Sequence, residues 1–375
     1  MRELIRGGLR FAAPALLAYL ATRLVGVLVL WVMARHFDKS VPTLLGKWDG
    51  AWFLDIVRHG YDTSLTHRAN GRLVNTNIVF FPAFPGLIKA VTIITPLRPL
   101  YAGLVVDWIA ALAAAWGIFA VGNHLYDRRV GITLAALWGV QTHAIVESMV
   151  YSEALFTALS AWCLYALLRA RWLTAGVLCL LAGLTRAATI VLVAIVVVAA
   201  AEAVLGRRDG WRPWAGALLA PVGVLGYLAW VGHALGRVDG WFYMQHHGWY
   251  AHWDGGRTAW HTFVHRVLLQ STWLEFYEVT AIVLAAIVLL VLLGLLRPPW
   301  PLVAYAAGIL VITIGTAHYY HSKARYLLPA FPLLLPIAVG LGRARTAAIV
   351  TVLVPLALAS AWYGGYLLLI WKASF

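Results

Sequence analysis

Long apolar runs broken by short arginine-bearing turns recur along most of the chain. They fall at roughly 12–33, 101–123, 131–146, 153–169, 173–186, 187–205, 213–232, 277–296, 300–317, 326–341 and 346–370. A helix rises about 1.5 Å per residue, so ~20 apolar residues cross the hydrocarbon core of a bilayer. The pattern predicts an all-α polytopic membrane protein with about 11 transmembrane helices, several of them short for a span. Arg2, Arg6 and Arg10 precede the first run, which is too long for the core of a cleavable signal and reads as a retained signal anchor.

Composition agrees. Of 375 residues, 62% are hydrophobic and 12% charged, with a mean hydropathy of +0.80. A soluble domain could not hide that much apolar surface, because about half of its residues must face water. A single integral membrane domain over 1–375 is expected. The formal charge of +14 raises nucleic acid as a partner. The basic residues, however, stand singly or in pairs between apolar runs, a topology signal rather than a phosphate-binding patch, and no nucleic-acid partner is expected. Cys163 and Cys179 lie inside apolar runs and read as packing residues.

Orientation follows from the basic residues. With the N-terminus in the cytoplasm, Arg2, Arg6, Arg10, Arg128, Arg129, Arg169, Arg171, Arg207, Arg208, Arg212, Arg297, Arg343 and Arg345 all fall inside. The short outer turns then keep Arg186, Lys323 and Arg325. A span at 80–95 would invert every later turn, so this segment is predicted to be re-entrant or interfacial, as Pro82 and Pro85 also favour. A first outer loop then covers about 35–100 and a second about 233–276. No internal repeat is visible, which argues against a transporter.

Candidate chemistry collects outside. If 51–59 is helical, Trp52, Phe53, Ile56 and Val57 share one face and Asp55, Arg58 and His59 the other, as in a helix lying in the membrane interface. Asp49, between Trp48 and Gly50, is open to two readings: a helix N-cap, or a general base for an acceptor hydroxyl at the lipid–water boundary. Glu153, in Tyr151-Ser152-Glu153, sits at an outer helix junction, as a solvated turn or a site carboxylate. His321, Lys323 and Arg325 concentrate positive charge in one outer turn that begins at His318. With Arg186 they could clamp a phosphate or contact lipid headgroups.

The second loop carries His233, His246, His247, His252, His261 and His265 among Trp241, Phe242, Tyr243, Trp249, Tyr250 and Trp253. With no cysteine or tight carboxylate set to complete a ligand shell, no metal site is expected. A sugar- or headgroup-binding lid, with Gln245 and Trp249 among its contacts, is favoured. Arg23, midway along the first run, must be paired, hydrated or snorkelling, and Asp107 is a possible partner for a structural ion pair.

The stretch KWDGAWFLDIVRHGY, then FFPAFP, then YSEALF, resembles the PIG-V family of mannosyltransferases (relatives of GPI mannosyltransferase 2), with weaker similarity through LTRAATI and SKARYLLPAFP. The resemblance implies a GT-C fold with juxtamembrane helices in the first outer loop. It implies an inverting reaction from a polyprenyl-phosphate-mannose donor, with no metal or other cofactor. The family's first-loop aspartate maps onto Asp49, as base, and its Tyr-Ser-Glu segment onto Tyr151, Ser152 and Glu153.

The expectation is therefore a mannosyltransferase on the outer face of a bacterial-type plasma membrane, acting on a glycolipid or glycan acceptor. Asp49 would be catalytic. His321, Lys323, Arg325 and Arg186 would hold the donor phosphate, and Trp48, Trp52, Asp55, His59, Tyr151, Glu153, Gln245 and Trp249 would contact substrates. The rival is a flippase or exporter of a lipid-linked sugar, which needs polar residues continuing through the bundle.

Overall fold

Each apolar run is helical over most of its length. The computed structural model describes residues 2–67, 69, 72–317 and 319–375, with side chains from Gly8 onward. His318 and the side chains of Arg2 and Arg6 lie outside them. A long α1 (Arg2–His36) leads to a first loop holding α2 (Val41–Leu45), α3 (Asp49–His59) and α4 (Ala83–Ile94). Next come α5 (Pro99–Leu125), α6 (Arg128–Gly139), α7 (Glu153–Leu168), α8 (Trp172–Gly183), α9 (Thr189–Leu205), α10 (Arg212–Leu219) and α11 (Val222–Ala234). The second loop holds α12 (Gly240–Tyr243) and α13 (Arg257–Thr262), each running into a π-helical turn. Then follow α14 (Leu274–Leu295), α15 (Trp300–Gly315), α16 (Lys323–Tyr326), α17 (Leu335–Gly342) and α18 (Thr346–Leu369). Among the described residues there is no strand beyond two isolated bridges.

Among the described residues five helices are long and apolar enough to cross a membrane: Gly8–His36, α5, α10 with α11, α14 and α18. Tyr320–Tyr326 and Phe331–Gly342, bent by 75°, make a sixth if counted as one. The segments at α7, α8, α9 and α15 are apolar but shorter. α14 leaves Leu284, Ile287, Val288, Val291, Leu292 and Leu295 exposed, a surface that is stable only in an apolar solvent. α4, at 80–95, has twelve residues and a length of about 18 Å. It buries Phe84, Pro85 and Ile88, packs on α3 and α5, and exposes Ile93 and Ile94.

Small residues let these helices approach closely. α5 presents Ala110, Ala111, Ala114 and Ala115, all buried, in its packing with neighbours. Where α8 crosses α11, a Cβ on Gly223 would overlap the Leu180 carbonyl.

The buried Arg23 does not pair with Asp107. Its guanidinium reaches the carbonyls of Gly139 and Ala144 and lies 3.9 Å from Glu147, whose other partner is the Tyr19 hydroxyl at 2.9 Å. The loop after α6 ends that helix at Gly139, leaving carbonyls free for a cation. Asp107 lies buried on α5 with neither carboxylate oxygen hydrogen-bonded. Arg23 thus ties α1 to the loop that leads into Tyr151-Ser152-Glu153. That loop in turn meets the first long loop, where Val150 N–H donates to Leu45 O at 2.9 Å.

Candidate active site

α2 ends at Gly46, and the chain must turn sharply to begin α3. It does so at Trp48, with φ 58° and ψ −118°, a backbone region that a side chain strains by roughly 1–3 kcal/mol. This turn makes Trp48 the cap position and places Asp49 inside the first helical turn. The capping reading of Asp49 is thereby overturned, since no side chain caps α3. The Asp49 N–H donates instead to the Tyr151 hydroxyl at 3.3 Å, and its carboxylate faces across the bundle.

There it meets Arg325. Asp49 Oδ2 lies 2.9 Å from Arg325 Nη1, and Arg325 Nε lies 3.3 Å from Glu153 Oε1. Glu153 opens α7, where a negative charge suits the helix N-terminus. The same Oε1 lies 2.7 Å from Arg186 Nη1, which also donates to Ser152 Oγ at 3.3 Å. Two carboxylates and two guanidiniums form one chain: Asp49, Arg325, Glu153, Arg186. Arg325 is held between aromatic faces, Tyr151 at 5.1 Å and Tyr326 at 5.0 Å. Its Nη1 and Nε face the two carboxylates, so both anions hold the one guanidinium in place.

The Asp49 side chain is 21% exposed and Glu153 only 2%. Burial pushes the Asp49 carboxyl above the usual carboxylate range, against the pull of Arg325 and with a further push from Glu153. A base with a raised pKa and one face toward a cavity can accept a proton from a hydroxyl.

The cavity has a volume of about 480 Å³. Asp49, Glu153, Arg186 and Arg325 give it a charged side, and Ile309, Ile312 and Phe156 an apolar one. A third wall is aromatic. Trp52 stacks on Phe80 at 6.1 Å, and Trp249 meets both edge-on at 5.2 and 5.4 Å. The indole N–H groups of Trp249 and Trp241 donate to Thr76 O and Val79 O, so the second long loop is pinned to the first. Aromatic faces held in this way suit the C–H faces of a sugar ring.

Of the residues singled out from the sequence, Trp48, Asp49, Trp52, Glu153, Arg186, Gln245, Trp249 and Arg325 line this cavity. Tyr151 is fully buried beneath Asp49 and Arg325 and supports them instead. Lys323 points elsewhere. Its Nζ donates to the carbonyls of Thr313, Ile314 and Thr316 at 2.6, 3.3 and 2.8 Å, closing the C-terminal end of α15. His321 packs its ring on Trp371 at 5.9 Å and Tyr319 at 6.1 Å, and is not part of the lining. The cationic turn therefore divides, because Lys323 and Arg325 leave the short α16 in different directions.

Asp55 and His59 pair with one another at 2.8 Å on the outer side of α3, and Asp55 also accepts from Asn77 Nδ2 at 2.9 Å. The His59 hydrogen bond holds the Asp55 carboxyl below its usual range, and neither residue lines the cavity. Sequence reasoning missed Tyr326 and Tyr319 in the lining. Tyr326 stood in the stretch SKARYLLPAFP and Tyr319 in the turn that begins at His318, but neither ring was given a role of its own. Among the described residues no three His, Cys, Asp or Glu come together as a metal-binding group.

No protein-family model matches the sequence, and no curated protein does. Among solved structures the chain is similar to an oligosaccharyltransferase of Archaeoglobus fulgidus, in a crystal structure of the apo form. The identity is 13% and the TM-score 0.48, over 93% of this chain and 55% of that one. The chain thus spans about half the length of that protein.

Proposed function

We propose that this protein is an inverting glycosyltransferase that transfers mannose from a polyprenyl-phosphate-mannose donor to a hydroxyl of a glycolipid or glycan acceptor. The observation that carries the reading is the Asp49–Arg325–Glu153 chain at the wall of the cavity, a base joined to a buried guanidinium. Asp49 takes the proton of the acceptor hydroxyl as its oxygen attacks the anomeric carbon. The bond from that carbon to the phosphate oxygen breaks on the opposite face, and the lipid phosphate leaves with the electron pair. Arg325 and Arg186 stabilise the departing charge, so the reaction as proposed needs no metal. Glu153 neutralises and orients the two arginines, and Trp52, Phe80 and Trp249 form a platform for the sugar. Mannose as the sugar rests on the resemblance of KWDGAWFLDIVRHGY and YSEALF to the PIG-V family.

In this reading eleven segments cross a bacterial plasma membrane in the GT-C arrangement, the N-terminus is cytoplasmic and the cavity faces outward. A flippase would need a polar path through the bundle. The buried charged groups Arg23, Asp107, His143, Glu147 and Glu275 do not line the cavity beside Asp49. This favours the enzyme.

The test incubates the protein in nanodiscs with radiolabelled polyprenyl-phosphate mannose and a pool of membrane-lipid acceptors. Wild type and Asp49→Asn are compared, with and without chelator. Labelled product from the wild type alone, unaffected by chelator, is the expected outcome. Full turnover by Asp49→Asn removes the base, and donor binding without turnover by the wild type favours the flippase.

A further inference from the structure

Between the cavity wall at His252–Trp253 and the start of α14, the second long loop forms α13 and the π-helical turn continuing it to Leu268. None of the residues from Arg257 to Leu268 is buried. Apolar side chains stand well out: Trp260 is 67% exposed, Leu268 61%, Leu269 68% and Trp273 65%. At helical spacing, Trp260, Phe263, Val264 and Val267 share one side, on which Trp260 is exposed and the other three are half-buried, and the rings of Trp260 and Phe263 lie 5.7 Å apart. His261 and His265 stack at 4.2 Å on another. Residues 255–274 include Arg257 and Arg266 and contain no aspartate or glutamate.

An ordinary surface helix buries an apolar stripe in its own protein. One that leaves Trp260, Leu268, Leu269 and Trp273 uncovered, carries basic and no acidic residues, and leads into a candidate span has the make-up of an interfacial segment on a negatively charged membrane. We propose that residues 257–273 dock on anionic phospholipid headgroups of the membrane that the protein crosses. Trp260, Leu268 and Leu269 enter the headgroup–acyl boundary, and Arg257 and Arg266 take the lipid phosphates.

The docking reaches the cavity. Asp254 accepts from the N–H groups of Gly256 and Thr258 at 2.9 and 2.7 Å, which fixes the start of α13. The Asp254 N–H donates to Gly315 O at 2.9 Å, and Ala317 N–H to His252 O at 2.7 Å. The Trp253 ring lies where a side chain on Gly315 would be. A segment seated on lipid therefore holds the Trp253 wall in place.

The test puts a spin label on Leu268→Cys, the two native cysteines being buried. The protein is reconstituted in nanodiscs of phosphatidylcholine, with or without phosphatidylglycerol, and the label's accessibility to oxygen and to a water-soluble nickel chelate is measured. A label at Val238→Cys, a fully exposed position of the same loop, serves as the control that stays in water. The expected result is a shift of the Leu268 label from nickel-accessible to oxygen-accessible when phosphatidylglycerol is added. The shift is lost in Arg257→Gln/Arg266→Gln, with an unchanged melting temperature. Equal depth in both lipids overturns the proposal, as does a shift that survives in the double variant. A label shielded from both probes also overturns it, since a protein then covers the surface.

Discussion

Asp49 and Lys323 carry the sharpest consequences at the scale of single residues. Burial raises the Asp49 carboxyl above an ordinary aspartate, and a base must be deprotonated to act. The acid limb of kcat/KM is therefore expected at higher pH than for a solvated aspartate, and Asp49→Asn is expected to lose about 10²–10⁴ in turnover. Stability runs the other way. A raised folded-state pKa means that Asp49 contributes to folding fully below its unfolded pKa and loses that contribution as pH rises through the folded value. At neutral pH Asp49→Asn should then melt no lower than wild type. A clear drop in Tm would show that the Arg325 pair outweighs the burial.

Lys323 makes the opposite case. With three backbone carbonyls at its Nζ, Lys323→Met strands buried acceptors and should cost about 1–3 kcal/mol. The loss should appear in Tm, with donor KM unchanged. A raised KM at unchanged Tm would return Lys323 to the phosphate.

Among the elements, α1 and the loop from 140 to 152 depend on one another through Arg23. Removing one partner of a buried pair is far more damaging than removing both, at about 3–5 kcal/mol. Arg23→Met should therefore destabilise strongly, and Arg23→Met/Glu147→Gln should recover part of the loss. Denaturation of the two variants in the same detergent checks this, and equal Tm values would dissolve the pair. The face of α3 was readable in advance because its periodicity is local: Phe53, Ile56 and Val57 are buried and Arg58 and His59 exposed. The partner of Arg23 was not, since Asp107 and Glu147 are both carboxylates near helix-forming runs and only packing chooses between them. Lys323 and Arg325 likewise form one cluster in sequence. Which of them faces the cavity depends on where α15 ends, a fact set by the fold and absent from the turn itself.

For the molecule as a whole, the helical runs were legible because lipid imposes long apolar stretches, and the aromatic wall because its indoles lie in two loops of obvious composition. The proposed orientation leads to a direct prediction. Single cysteines at Val238 and at Arg208, introduced with Cys163 and Cys179 left buried, should differ toward a membrane-impermeant maleimide applied to intact cells. Val238→Cys should label and Arg208→Cys should not; labelling of Arg208→Cys alone would turn the protein over.

The charge chain joins the first long loop to α16, with most of the polypeptide lying between Asp49 and Arg325. The two ends of this ion pair are thus made far apart in the course of synthesis. A fragment that ends anywhere before Arg325 lacks the cation that Asp49 faces, however complete its first loop, so the centre belongs to the whole chain and to no shorter part of it.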